Sequence, residues 1–391
     1  MSYPLATSSW DAAEYAAMER VIRSGQFSMG PEVAAFEREF ALWLGSRYCV
    51  MVNSGSSANL LMIAALRYHA EHALQPGDEV IVPAVSWSTT YSPLYQYGLH
   101  LKFVDIDAGT LNMDVDAVAA AIGPRTRAIL AVNLLGNPND FARLAAIAKQ
   151  HGLILLEDNC ESMGAEFAGR KAGTFGLAGT FSSFFSHHIS TMEGGLIATD
   201  DEAMYHILLS LRAHGWTRNL PKNNHVSGVK GDDPFEESFR FVLPGYNVRP
   251  LELSGAIGLE QLKKLPDLVR ARRENAEKFQ ALMARYPMFQ TQTECGASSW
   301  FGFSLVLRPD AGLSRKSVLA VFADAGIETR PIVTGNFTKN EVVRRWFDYT
   351  LHGELQNADW IDRNGFFIGN HHYPLDDAFV DLERALRQAT T

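Results

Sequence analysis

Cysteine is nearly absent from this chain. Only Cys49, Cys160 and Cys295 occur in 391 residues, far apart and without the Cys-x-x-Cys spacing of a zinc site. Three scattered thiols are too few for a disulfide framework, and they exclude the four-thiolate set that holds most iron–sulfur clusters. Long apolar runs are missing too: no window approaches the roughly 18 uncharged apolar residues of a membrane span. The opening Met1-Ser-Tyr-Pro-Leu has no basic segment leading into an apolar run, so no signal peptide is expected and a reduced, cytoplasmic compartment is the simplest expectation. Positive charge is not in excess. A net charge of −9 argues against a nucleic-acid backbone as partner, because that needs clustered Lys and Arg. Anionic small molecules remain open, since local amides and a few basic groups can hold them. Internal repeats and low-complexity tracts are also missing.

What is present is ordinary globular material, 47% hydrophobic and 20% charged, long enough for two domains. Short β-branched apolar runs alternate with helical stretches: Tyr48-Cys-Val-Met-Val, Glu79-Val-Ile-Val, Leu101-Lys-Phe-Val, Ala128-Ile-Leu-Ala-Val and Leu153-Ile-Leu-Leu. Unbroken apolar strands separated by helices imply an α/β fold with a mainly parallel sheet covered on both faces. Residues 60–68 and 144–150 have the apolar spacing of the crossover helices. The sheet is expected to end near Leu196-Ile-Ala-Thr. Residues 219–245 read as a long irregular loop, a charged helix follows over 259–286, and the strand Trp300-Phe-Gly-Phe-Ser-Leu-Val-Leu belongs to a smaller α+β unit. The expected division is 1–255, an arm and a large domain, and 256–391, a linking helix and a small domain.

Three segments carry chemistry. Asn53-Ser-Gly-Ser-Ser-Ala-Asn59 follows a strand and opens a helix. Gly55 permits a tight turn, Ser56 and Ser57 supply hydroxyls, and free amides at a helix start make a phosphate cradle. An ordinary N-cap explains the same residues. Leu156-Glu157-Asp158 ends an apolar strand, where ligands of open α/β sheets gather. A carboxylate there can pair with a protonated pyridine nitrogen, or simply cap a helix. Because strand neighbours face opposite ways, only one of Glu157 and Asp158 can reach the site. The third segment runs Thr180-Phe-Ser-Ser-Phe-Phe-Ser-His187-His188-Ile-Ser-Thr-Met-Glu-Gly-Gly195. A tandem histidine pair can also ligate a metal, but no acidic or Cys ligand pattern lies nearby, so no metal is expected.

Taken together, these segments resemble the sugar-aminotransferase family (DegT/DnrJ/EryC/StrS) of the aspartate-aminotransferase fold, which uses pyridoxal phosphate. The resemblance spans essentially the whole chain. It includes Val82-Pro-Ala-Val-Ser-Trp87 and Gly245-Tyr-Asn-Val-Arg249. It implies that Gly55, Ser56, Ser57 and Ser183 hold the cofactor phosphate, with Asn247 lent by the neighbouring subunit of a homodimer whose sites are shared. It further implies that Asp158 faces the ring nitrogen, Trp87 stacks on the ring, and Glu161 lies near the ring edge.

At the position of the family's cofactor-bonding lysine this chain departs. No Lys occurs between Lys171 and Lys222. Counted forward from Ser183, the family spacing lands on His188; counted back from Glu193-Gly-Gly, it lands on His187. The forward count is preferred, which makes His188 the expected base and His187 a neighbour. An imidazole can move protons near neutral pH but cannot bond the cofactor as an amine does. The chain therefore resembles a His-for-Lys subgroup, the 3-dehydratases of nucleotide-linked 4-keto-6-deoxy sugars. With too few cysteines for the cluster-bearing branch, the resemblance points to the branch on the route to colitose. That branch implies a GDP-linked 4-keto-6-deoxymannose as substrate, L-glutamate as amino donor, and cycling between pyridoxal and pyridoxamine phosphate. Arg249 and Arg330 are candidates for substrate phosphates or the co-substrate carboxylate, with a structural salt bridge as the alternative for each. His214, beside Gly215 and Trp216, is a candidate for the sugar site. Two rival readings stay open: an amino-sugar-forming aminotransferase, which the missing lysine disfavours, and a catalytically silent binder of sugar nucleotides.

Overall fold

The computed structural model describes residues 3–390. Its main sheet has eight strands: β1 (Tyr48–Val52), β2 (Glu79–Pro83), β3 (His100–Val104), β4 (Thr126–Val132), β5 (Ile154–Asp158), β6 (Ala178–Ser182), β7 (Gly195–Thr199) and, far along the chain, β11 (Tyr349–Leu351). Their spatial order is β1-β7-β6-β5-β4-β2-β3-β11. Every pairing is parallel except those of β7, which runs against both β1 and β6.

The apolar runs sort to the two faces by strand alternation. Val80, Val82, Ala128, Leu130 and Leu156 pack with Leu61 and Met62 of helix Gly55–Leu66 and with Met204 and Leu208 of helix Glu202–Arg212. Ile81, Ile129, Ala131 and Leu155 face the other way, onto Phe141, Leu144 and Ala148 of helix Phe141–His151. Both faces are covered, which is why these strands read as unbroken apolar stretches. The sequence signal for helices over 60–68 and 144–150 missed the first turns of both elements, and the first range runs two residues past the helix end at Leu66.

A second, antiparallel sheet contains β8 (Phe289–Gln290), β9 (Gly302–Leu307), β10 (Thr329–Arg330) and β12 (Gly365–Gly369), in the order β8-β9-β12-β10. One 32-residue helix, Glu252–Met283, links the two sheets. At its start, the Glu252 carboxylate accepts from the amides of Gly30 (2.6 Å), Glu32 (2.7 Å) and Val33 (3.3 Å), closing the open end of helix Pro31–Leu44. Near its far end, Phe279 stacks on Phe303 of β9 at 4.2 Å. The helix begins seven residues before the expected 259. The main sheet does not end near Leu196 as expected either, because β11 adds to the edge beside β3. A two- or three-residue edge strand carries too little periodicity to be seen in sequence. Residues 219–245 are largely irregular, broken by a small hairpin (Asn223–Asn224 with Gly228–Val229) and one short helix, Pro234–Ser238. Among the described residues, no helix is long and apolar enough to cross a membrane.

Candidate active site

Beyond the carboxyl ends of β4, β5 and β6 lies a cavity of about 300 Å³. Its floor is Asp158, the last residue of β5, only 4% exposed. Three donors fix the carboxylate: Asn59 Nδ2 (2.8 Å) and Thr90 Oγ1 (2.7 Å) to Oδ2, and the Cys160 amide (3.1 Å) to Oδ1. Strand alternation sends Glu157 to the opposite face, where it accepts from the amides of Gly173 (2.6 Å), Phe175 (2.5 Å) and Gly176 (2.9 Å). Of the two neighbouring acids, Asp158 alone serves the cavity.

One wall is the turn after β1. Ser54 Oγ accepts from the Ser57 amide (3.0 Å) and caps helix Gly55–Leu66, so the first-turn amides open toward the cavity. Gly55 is pressed onto the end of β6. A Cβ there would lie 2.7 Å from Ser182 Cβ and 3.0 Å from Cys160 Sγ, so only glycine allows this close approach. Ser54, Gly55, Ser56 and Ser182 line the same corner. The Ser56 hydroxyl meets Thr89 Oγ1 at 2.9 Å. Trp87, at the start of helix Ser88–Gln96, supplies an aromatic wall with 57% of its surface exposed. Glu161 accepts from the Leu135 amide (3.0 Å); burial first, and the nearby Asp158 charge after it, push its carboxyl up to about 7. From the second sheet come Arg330 of β10, Phe301, Val333 and Phe367.

The histidine pair sits in the loop joining β6 to β7. Ser182 pairs with Gly195 at the neck of that loop. Just above it, Ser183 turns away from the cavity: its amide donates to Gly194 O (3.0 Å), and its buried hydroxyl bonds Thr191 Oγ1 (2.6 Å). At this loop Ser182 and His187 stand at the cavity surface, and Ser183 and His188, the residues named from the sequence, are buried next to them. The His188 ring is buried behind the wall, its Nε2 donating to Ser299 O at 3.1 Å. His187 packs against Phe301 (5.2 Å between centroids) and Phe184 (5.9 Å), and its Nδ1 is buried without a hydrogen-bond partner. Burial, and after it the Arg272 charge, hold its imidazole down at about 4.

Gly55, Ser56, Trp87, Asp158, Glu161 and Arg330 thus meet at one cavity. Ser57, Asn247, Arg249 and His214 lie outside it. The Ser57 amide and hydroxyl are both bonded to Ser54 Oγ. Asn247 is exposed and accepts from Arg249 Nε at 3.0 Å, while the Arg249 guanidinium lies 5.7 Å from the Trp216 ring centroid. His214, in the left-handed region at φ 62°, sets its ring edge-on to Trp216. Phe301, Val333 and Ser182 were missed by sequence reasoning. The first two arrive by packing of the distant second sheet, which leaves no local signal; Ser182 was hidden by its identical neighbour.

The residues present fit a pyridoxal-type cofactor. A buried carboxylate faces the place of a ring nitrogen, amides and hydroxyls converge at one end, and the tryptophan flanks the space. Among the described residues, no lysine lines the cavity. Lys171, the nearest upstream in sequence, holds its Nζ 5.2 Å from the Trp43 ring centroid instead.

Comparison with known proteins agrees with this geometry. The chain is 59% identical over 387 residues to a GDP-4-keto-6-deoxy-D-mannose 3-dehydratase of Escherichia coli O55:H7, covering 99% of this chain and 100% of the relative. A protein of the same name from Yersinia pseudotuberculosis is 57% identical over 388 residues, with 99% of each covered. Among solved structures, a GDP-4-keto-6-deoxymannose-3-dehydratase with a trapped PLP-glutamate geminal diamine superposes with a TM-score of 0.97 at 59% identity, covering 98% of this chain and 100% of that one. The family model for the DegT/DnrJ/EryC1/StrS aminotransferases matches residues 8–378. With that extent of match, and with the family's phosphate turn and strand-end carboxylate at one cavity, the chain belongs to the DegT/DnrJ/EryC1/StrS aminotransferase family.

Proposed function

We propose that this chain is a pyridoxal-phosphate-dependent, glutamate-consuming 3-dehydratase that removes the C3 hydroxyl of GDP-4-keto-6-deoxy-D-mannose, with His187 as its base. The observation that carries the reading is the cavity itself: an aminotransferase site complete in its carboxylate floor and phosphate turn, with a histidine where the family has a lysine. The names of the relatives at 57% and 59% identity support the sugar and its nucleotide.

When bound, the cofactor in its amine form supplies an amino group for the sugar's C4 ketone and a ring that stores an electron pair. Asp158, held by Asn59, Thr90 and the Cys160 amide, keeps the ring nitrogen protonated. The first-turn amides after Ser54, with Ser56 and Ser182, hold the phosphate. Trp87 stacks on one ring face. His187 accepts a proton on an imidazole nitrogen and then gives it to the departing C3 hydroxyl. One group can serve as base and acid because a single proton moves through it. With no lysine amine in the cavity, water rather than the protein releases the product. The sugar therefore leaves as a 3-deoxy ketone, and its transient amino group as ammonia. Loss of oxygen at C3 is balanced by oxidation of glutamate to 2-oxoglutarate. Arg330, at the cavity rim, takes a phosphate or carboxylate.

The exposed Trp87 and the exposed Asn247 support a homodimer in which each site borrows from its neighbour. In that dimer Asn247, Arg249 and His214 reach the partner's cavity.

The test is turnover. Protein, pyridoxal phosphate, glutamate and GDP-4-keto-6-deoxymannose should yield 3-deoxy ketosugar, 2-oxoglutarate and ammonia in equal amounts. An amino sugar without ammonia would restore the aminotransferase reading.

A further inference from the structure

We propose that the N-terminal arm is a strap that holds the histidine loop in place, and that Gln261 and Trp10 are the positioning residues that fasten it there. The inference rests on the reading of the loop between β6 and β7 as the carrier of the base, and it holds for either imidazole of the pair.

Residues 3–11 run across the molecule before helix Ala12–Ser24 begins. One end is tied to the second sheet. Tyr3 forms a parallel bridge with Ile327, and its hydroxyl donates to Gly369 O at 2.8 Å. The His371 ring donates to Pro4 O through Nε2 (2.9 Å) and accepts from the Thr7 hydroxyl at Nδ1 (3.2 Å). The other end reaches the histidine loop. There Trp10 Nε1 donates to Ser190 O at 2.9 Å, and the Ser190 amide donates to Gln261 Oε1 at 3.0 Å. Ser190 follows the histidine pair by two positions and is 3% exposed. Both of its main-chain polar groups are therefore bonded to partners outside the loop.

Gln261 joins the arm to the loop. It lies in helix Glu252–Met283, fully buried. A side-chain amide offers two donor hydrogens and an acceptor oxygen with two lone pairs. All are in use: Oε1 accepts from Ser9 Oγ (2.6 Å) and the Ser190 amide, and Nε2 donates to Ser9 O (3.3 Å) and Glu14 Oε1 (2.8 Å). Three of these partners belong to the arm and the helix it leads into; one belongs to the loop. Glu14 is itself buried and held by Lys264 Nζ (2.7 Å) and the Asp11 amide (2.8 Å). A fully satisfied buried network specifies one arrangement, and stranding one member of it is penalised beyond the bond that is lost. The arm cannot leave Gln261 without freeing Ser190.

The loop has a use for such a clamp. A side chain on a strand is aimed by the strand, whereas one on a loop is aimed only by whatever holds the loop. The sheet fixes the base of this loop at Ser182 and Gly195, and Ser299 O holds the His188 ring. The Ser190 clamp fixes the stretch that returns from the histidines toward Gly195. Proton transfer requires an imidazole within hydrogen-bond reach of its partner. A loosened loop therefore lowers the rate while the floor and the phosphate turn, which sit on other elements, keep their hold on the cofactor.

The experiment combines hydrogen exchange, read by mass spectrometry, with steady-state kinetics on the full chain with pyridoxal phosphate bound. Trp10→Phe removes one N–H and keeps a ring to stand edge-on to Tyr15. Gln261→Ala removes the junction. In both, the amides of residues 186–192 should exchange about tenfold faster than in the parent, with β6 and β7 unchanged. The kcat should fall about tenfold, with KM for glutamate and for the sugar nucleotide held within about twofold. Parent-like exchange over the loop in Trp10→Phe would overturn the proposal, and so would faster exchange with an unchanged kcat. A loss confined to melting temperature would reduce the arm to a structural element and overturn it too. Where Gln261→Ala does not fold, Trp10→Phe decides alone. If the parent shows no turnover, the dehydratase reading has failed, and the exchange by itself sustains or overturns the strap.

Discussion

The end of β5 and the loop between β6 and β7 both deliver a reactive group to the same cavity, and they do so by different rules. At β5 the strand period decides: Asp158 faces the ligand and Glu157 faces the core, and no other arrangement of those two residues is compatible with the sheet. In the loop over residues 183–194 no period applies. Two serines in tandem followed by two histidines in tandem leave the register open to a count from either serine. A regular element converts sequence position into direction; a loop converts it only through its anchor residues.

The strongest way to break this comparison is to exchange the two histidines' fates. His187→Asn should lower turnover by about 10³-fold, within the range for a lost general acid–base group, while His188→Asn, measured beside it, should lose less than about tenfold. The reverse ranking would return the base to His188 and with it the count from Ser183. Next in size, Asp158→Asn should cost about 10²-fold in turnover through lost electrostatic support, with cofactor binding followed by absorbance. Its neighbour change Glu157→Gln should leave the rate per folded molecule intact and lower stability by about 1–3 kcal/mol in urea melts.

A smaller effect separates the two regions by pH. Burial first, with the Arg272 charge second, holds His187 and His371 at about 4, whereas in the unfolded chain they protonate near 6.5. Each therefore removes stability as pH falls from about 6.5 to 4. Glu157 is pushed up to about 7 by its burial, against about 4.5 unfolded, so it adds stability as pH falls from about 7 to 4.5. Urea melts at pH 7 and pH 5 should show His371→Asn losing less stability on acidification than the parent, and Glu157→Gln losing more. Smallest of all, Gly55→Ala should weaken cofactor binding by about tenfold, because its Cβ would press on Ser182 and Cys160. Unchanged affinity would mean that the turn yields more readily than a close-packed corner should.

These contrasts also explain what was legible in sequence. The parallel sheet, the helix opening at Ser54 and the site carboxylate follow from apolar runs, a cap signal and a strand end, all local features. Trp87 and Glu161 came from family resemblance and fell in place at the cavity. The seat of the base is less legible, because Ser182 and Ser183 are chemically identical and two histidines follow them. Phe301 and Val333 were invisible for a different reason: they reach the site through packing of a second sheet whose residues lie a hundred or so positions downstream.

The Ser182–Gly195 neck described above has a consequence for inheritance. Because adjacent antiparallel strands close the loop at its base, the positions of both strands are set by their own pairing and not by the identity of the residues at 187 and 188. The residue that decides whether an oxygen is removed or a nitrogen is kept is carried on a loop whose two ends the sheet holds in place. A lineage of such proteins can therefore change its reaction at that residue while both strands stay where they were.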